Sequence, residues 1–354
     1  MNWNNELTRI LKIKYPLVQA PMLGVSTPEM VAAVSNEGGL GSLPAGLLSP
    51  EATLDLIRKT KTLTDKPFAV NLFAHEVPEI DIPSAETLQS KVSEIAHKYD
   101  INYEPVMIEN IRYYSYREQI EILIQENIPV VSFTFGVIDK ESIGRLHENG
   151  VIIIGTATSV REAVHLENIG IDIITAQGIE AGGHRGTFLE DEPTPQVGTF
   201  SLIPQVAYEV KRPILAAGGI MDGRTFKAAL ILGAQGVQVG TAFVGSDESL
   251  AINSYKNALK NSKDTDTVLT RAFSGKWARG IRNTFHDEVQ ALNITYPPYP
   301  ILNTFTAPIR IASQKNGNKE FTTLWAGQSA AMARFKPSAE IFRELISETE
   351  ELSK

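Results

Sequence analysis

The stretch Pro213–Thr241, PILAAGGIMDGRTFKAALILGAQGVQVGT, decides how this chain folds. Pro213–Ala217 is a short apolar run of the kind buried on both faces of a parallel sheet. Gly218 and Gly219 end it, and Asp222 and Gly223 open a helical stretch that stops at Gly233. Gly236 to Val239 begins the next apolar run. The turn after Ala217 offers bare backbone N–H groups and a helix N-terminus, which together suit a phosphate.

The same alternation runs along the chain. Strands are predicted at Leu17–Met22, Leu40–Pro44, Phe68–Phe73, Val130–Phe135, Val151–Thr156, Asp172–Gln177, Pro213–Ala217 and Gly236–Thr241. Helices are predicted between them, at Thr27–Glu37, Pro50–Lys61, Ser115–Glu126, Lys140–Asn149, Ser159–Asn168, Ser201–Val210 and Arg224–Leu232. Thr27 and Pro28 show the logic: a capping hydroxyl, then a proline at the first helical position. Strict alternation implies right-handed crossovers and a parallel sheet. Eight units predict an α/β chain closed as a TIM (β/α)8 barrel, with an open doubly wound sheet as the alternative. In a barrel the turn after strand seven lies where such folds often hold a phosphate.

Two places break the rhythm. An insertion is expected at about residues 75–129, with a Tyr113-Tyr114-Tyr116 cluster that reads as packing. Residues 247–354 exceed what one closing helix needs. They are expected to form a mainly helical subdomain beside the barrel of residues 1–246, with helices at Glu248–Asn261 and Lys336–Leu352, a YPPYP link at Tyr296–Pro300, and a last helix that packs back on the barrel.

Composition removes several function classes. Lys and Arg number 33 against 41 Asp and Glu, a net charge of -8 that offers nucleic acid no basic field. The chain has no cysteine, which excludes disulfides, iron–sulfur clusters and thiolate nucleophiles, and is consistent with a cytoplasmic protein. The N-terminus lacks the apolar core of a signal peptide, and no run reaches the roughly 20 apolar residues of a membrane span.

In a βα barrel the chemistry sits at the C-terminal ends of the strands. Here those ends carry amides, hydroxyls and glycines and no metal-binding cluster; no metal is expected. The loop after strand six, AQGIEAGGHRGTF, is the richest. Gln177 can both donate to and accept from the edge of a flat heterocycle. Gly182 and Gly183 let backbone pass close to a ligand. His184 follows them and titrates near neutrality, so it can take up a proton or stabilise negative charge. His97, His147 and His165 read as helix-surface residues, while His75 and His286 have no assignable role. Tyr296 and Tyr299 are open between packing and site, and Glu180 and Arg185 between site residues and a structural ion pair.

The segments LVQAPMLGVSTPEM, VSNEGGLGSLPAG, PFAVNLF, VVSFTFG, GTATSVREA, AQGIEAGGHRGTF, AAGGIMDGRTFKAALILGAQGVQVGTAF and LWAGQ occur in order with barrel spacing. In them the chain resembles the nitronate monooxygenases, formerly 2-nitropropane dioxygenases, of the bacterial-type class I branch. The resemblance implies an FMN enzyme on a TIM barrel. It would oxidise alkyl nitronates such as propionate 3-nitronate with O2, giving a carbonyl compound and nitrite or nitrate without a nicotinamide. It implies FMN contacts at Met22, Asn71, Gln177, Gly182, Gly219, Gln238, Val239, Gly240 and Thr241, and His184 as the catalytic residue. His184 would stabilise anionic charge, acting as a base only toward neutral nitroalkanes. Thr134 stands where some relatives carry histidine, and a hydroxyl there supplies no cation.

The rival on the same barrel is an FMN- and NAD(P)H-dependent enoyl-acyl carrier protein reductase. A non-catalytic flavin- or phosphate-binding barrel is the rival of a different class. The inosine-monophosphate dehydrogenase type needs a cysteine nucleophile, which this chain lacks. Monomer and homodimer are both open.

Overall fold

Apolar runs rich in β-branched residues form the strands where the alternation placed them, and the sheet they make closes on itself. The computed structural model describes residues 1–189 and 193–354. The barrel strands are β1 (Leu17–Gln19), β2 (Gly41–Pro44), β3 (Phe68–Phe73), β4 (Val130–Thr134), β5 (Ile152–Ala157), β6 (Ile173–Gln177), β8 (Ile214–Ala217) and β9 (Gly236–Val239), with a short β7 (Gly183–His184) between β6 and β8. Parallel neighbours run β1, β9, β8, β6, β5, β4, β3, β2. The ring closes at Leu40, whose N–H donates to Leu17 O at 3.0 Å and whose carbonyl accepts from Gln19 N at 2.9 Å. This is a TIM barrel, and the open doubly wound sheet is excluded.

Three strands end sooner than the apolar pattern does. Pro21 has no N–H for the ladder, Phe135 turns to a left-handed φ of 70°, and Thr241 starts a short helix, Thr241–Val244. The residues released in this way, Ala20–Met22, Phe135 and Gly240–Thr241, become the rim of the barrel.

Val18, Leu40, Ala69, Val130, Ile154, Ile173 and Leu215 fill the opposite, N-terminal end, where Leu7 and Leu11 from the Glu6–Leu11 helix stopper it. Fully burying each such leucine or isoleucine contributes about 1.5–3 kcal/mol. The outer helices follow their caps. Ser49 accepts from Ala52 N, Pro50 opens the Pro50–Lys61 helix, and Thr53, Ile57 and Thr60 are buried. The last helix, Ser338–Glu351, buries Ile341, Phe342, Leu345 and Ile346. Phe342 lies where Gly39 has no side chain: a Cβ there would be 2.3 Å from its ring.

The insertion and the C-terminal region are not independent appendages. Leu88, Val92 and Ile95 of the Ile82–Lys98 helix share one core with Phe273, Phe285, Phe305 and Phe321. Helices Asn253–Lys260, Thr284–Ala291 and Ile301–Lys315 belong to this region. So does an antiparallel sheet that was not expected, β10 (Thr267–Thr270), β11 (Ala278–Ile281) and β7. Its third strand is the glycine-rich loop after β6, so the insertion and the C-terminal region, together called the cap, are stitched to the segment that carries His184.

Candidate active site

A cavity of about 450 Å³ opens over the C-terminal ends of the barrel strands. Met22, Asn71, Gln177, Gly182, His184, Gly219, Gln238, Gly240 and Thr241 all line it, as does Thr134. Val239 does not. Side chains alternate along a strand, and Val239 is turned into the core at 1 % exposure while Gln238 and Gly240 face the cavity.

The helix N-terminus after β8 is a second correction. Asp222 caps it through Thr225 N at 2.9 Å, and Gly223 N donates to Glu348 Oε2 at 2.9 Å. Two carboxylates therefore occupy the helix end that was expected to face a phosphate. What the cavity receives from this unit is the turn Gly218–Met221. Gly218 and Gly219 sit at φ 107° and 72°, a backbone that other residues resist.

The loop after β6 is held from several sides. Gln177 spends its amide on it: Nε2 donates to His184 O at 3.0 Å and Oε1 accepts from Gly186 N at 2.9 Å. One N–H and one lone pair remain for a ligand. Gly182 lacks a Cβ for a packing reason, since one would lie 2.4 Å from Gly327 N. Arg185 donates to the carbonyls of Gly178 at 2.6 Å and Gln177 at 3.0 Å. Glu180 accepts from Thr199 N at 2.8 Å and caps the Thr199–Glu209 helix. Both residues of the open ion-pair question thus anchor backbone. The buried Glu162 accepts from Thr158 N at 2.6 Å, Phe188 N at 2.6 Å and Leu189 N at 3.1 Å, fixing the far end of the loop.

His184 faces the cavity from this scaffold. Its Nε2 lies 2.7 Å from Ser274 Oγ. Phe135 meets the imidazole edge-on at 4.9 Å between centroids and Trp325 at 5.2 Å, while Tyr299 stands 6.2 Å away. Burial among these rings, with repulsion from Arg310 and Lys276, pushes the His184 pKa down to about 3, so the ring is neutral at pH 7. Phe73 and Phe135 pack at 4.7 Å, and Tyr299 covers Phe135 at 4.7 Å. Behind Tyr299, at 4.9 Å, sits His75. Among the described residues neither of its ring nitrogens reaches a partner at hydrogen-bond geometry, and burial, with Lys276 adding to it, pulls its pKa down to about 4.

Asn71 Nδ2 donates to Ser132 Oγ at 2.9 Å, leaving its oxygen to the cavity. Tyr299 thus belongs to the site. Tyr296 instead lies beneath the Arg271 guanidinium at 4.7 Å, and Tyr113 packs with its hydroxyl 3.2 Å from Thr304 Oγ1. His147 bonds Asp172 at 3.0 Å, and His286 lies beside Asp287 at 2.8 Å. Ser274 and Arg310 were not read from the sequence. Phe273-Ser274-Gly275 carries no signal, but Arg310 stands alone in the apolar run TAPIRIA, a pattern that marks a charge with a task. Trp325 belongs to the LWAGQ motif, and Gly327 N donates to Thr241 Oγ1 at 3.0 Å.

A sequence profile described as nitronate monooxygenase matches residues 4–348. The chain belongs to the nitronate monooxygenase family. A probable nitronate monooxygenase of Staphylococcus aureus strain JH9 is 42% identical over 352 residues, 99% of each chain. One of Staphylococcus saprophyticus is 41% identical over 355 residues, with 99% of each chain covered. Among solved structures, nitroalkane oxidase from Streptomyces ansochromogenes superposes with a TM-score of 0.89 at 37% identity, covering 99% of each chain. FabK from Thermotoga maritima gives a TM-score of 0.76 at 30% identity, covering 99% of this chain and 97% of that one. Membership makes the protein an enzyme, a flavin-dependent oxidoreductase. Among the described residues no helix is long and apolar enough to cross a membrane.

Proposed function

We propose that this nitronate monooxygenase family member binds FMN along the strand ends and oxidises alkyl nitronates with O2, giving a carbonyl compound and nitrite or nitrate. The residues present fit a flavin. One wall supplies amides, hydroxyls and the two left-handed glycines of the β8 turn, and another supplies aromatic rings. Met22, Asn71, Gln177, Gly182 and Gln238 would hold the ring system. Gly219, Gly240 and Thr241 would hold the phosphate, so the Gly223 helix end is not needed. When bound, FMN supplies the electron acceptor for the nitronate and the route by which electrons reach O2.

The observation that carries the reading is His184: a neutral imidazole facing the cavity, oriented by Ser274, with Arg310 and Lys276 as the charges that act on it among the described residues. Such a group suits an anion. Arg310 and Lys276 attract a nitronate, and the nitronate's own charge draws the His184 pKa upward as it binds. His184 therefore meets the anionic nitro group and stabilises its charge. Phe73, Phe135, Tyr299 and Trp325 keep water off the same region. A substrate that arrives as an anion needs no base; one that arrives as a neutral nitroalkane would give its carbon-bound proton to His184.

The test is an absorbance spectrum of the purified protein followed by oxygen uptake with propionate 3-nitronate. A flavin spectrum with rapid uptake is expected. Anaerobic mixing with NADH or NADPH addresses the reductase reading: rapid bleaching would favour that chemistry, as would the absence of oxygen uptake on any nitronate.

A further inference from the structure

Across the cavity from the strand ends lies the Ile301–Lys315 helix, which presents Asn303, Ala307, Arg310 and Gln314 along one stripe. Arg310 is the anomaly on this wall. Its Nη2 donates to Asn303 O at 3.1 Å and Asn303 Oδ1 at 2.8 Å, and its Nη1 donates to Thr323 Oγ1 at 2.9 Å. All three acceptors are neutral. Its Nε is buried without an acceptor among the described residues. Among the described residues no carboxylate forms an ion pair with it.

A guanidinium taken out of water without a counter-charge is costly unless something anionic arrives. Glu180, the carboxylate that lines the cavity among the described residues, is committed to Thr199. Arg310 keeps its proton at neutral pH, since burial lowers its pKa only to about 10. Its charge acts on His184 and on Tyr299, which places it on the same side of the cavity as the site imidazole.

Resting on the nitronate reading, the geometry points to Arg310 as the counter-ion for a second anionic group of the substrate, a carboxylate at the end remote from the reacting carbon. His184 and Arg310 stand on different walls, one on the loop after β6 and one on the cap helix. A simple alkyl nitronate carries one anion, which His184 meets, and leaves the guanidinium unpaired. A short nitronate acid satisfies both. Arg310 is then the residue that makes the enzyme prefer acids to plain alkyl nitronates.

The direct test uses inert probes. Butyrate and its uncharged analogue butyramide are titrated into the flavin-loaded enzyme by calorimetry. Wild type is expected to bind butyrate at least about tenfold more tightly, the scale of one desolvated charge pair. Arg310→Gln is expected to erase that preference and Arg310→Lys to keep part of it, because the charge survives without the planar fork. Equal binding of the two probes by wild type overturns the proposal, whether or not the variants fold. So does a preference that persists in Arg310→Gln, or loss of flavin from that variant with the preference intact, which would assign Arg310 to the cofactor phosphate.

A kinetic arm follows. The ratio of kcat/KM for propionate 3-nitronate over propyl-1-nitronate should fall about 100-fold in Arg310→Gln. An equal loss on both substrates overturns the proposal. If wild type oxidises neither nitronate, the nitronate reading fails, yet the butyrate comparison still decides what Arg310 binds.

Discussion

His184 of the barrel and Ser274 of the cap meet at 2.7 Å, so the orientation of the site imidazole is set across the boundary between the two parts of the molecule. Among the described residues no carboxylate bonds the ring, and in the proposed function its role is to receive an anion. His184→Asn keeps a hydrogen-bonding amide and loses the titratable ring. It is expected to retain flavin and to lose about 10²–10⁴-fold in kcat/KM on nitronates. Stopped-flow reduction of the variant measures this, and unchanged turnover would remove His184 from the mechanism.

Glu162 is 1 % exposed and accepts from Thr158, Thr187, Phe188 and Leu189. Glu162→Gln turns an amide N–H toward donors that need an acceptor. The expected loss is about 3 kcal/mol of stability, with faster amide exchange across Thr187–Leu189 as the local signature. Unaltered exchange there would mean that the loop is held by its other contacts.

Glu348 closes the N-terminus of the Gly223–Ile231 helix by accepting from Gly223 N and from Arg334 Nη2, at 2.9 and 2.8 Å. Glu348→Ala should cost about 1 kcal/mol, as lost caps do, while flavin content stays at the wild-type level. Release of the flavin from this variant would show that the helix end, after all, serves a phosphate.

His75 sets an acid limit on the cap. Its folded pKa of about 4 lies below the unfolded 6.5, so the unfolded chain binds more protons between those values. Stability from this group is complete above about pH 6.5 and is lost as pH falls toward 4, by about 3 kcal/mol in all. His75→Phe preserves an edge-on contact with Tyr299 and has no charge to acquire. Its unfolding free energy should fall less steeply between pH 6.5 and 4; a slope identical to wild type counts against this account.

The barrel was legible because its signal is local. Each apolar run and each capping pair, such as Thr27-Pro28 or Ser49-Pro50, reports its own structure. The rim was legible for a related reason: Gln177 ends β6, Gly219 lies two residues past β8 and His184 sits on the loop after β6, so naming the strands placed them. The cap was not. Its sheet takes its third strand from Gly183-His184, two residues with no strand pattern, and its core joins Leu88 to Phe305 across most of the sequence. That the Val239 side chain turns into the core was not legible, because strand-end motifs give position and not the face a side chain takes. The carboxylate on Gly223 comes from Glu348, and no window of sequence holds both.

The facing wall of the cavity comes from chain segments that contribute nothing to the β8 turn or the β9 rim. Asn303, Ala307 and Arg310 ride on one helix whose remaining contacts are with the cap. Evolution can therefore redraw what the enzyme accepts by editing that single element, as one recuts a key without rebuilding the lock's housing.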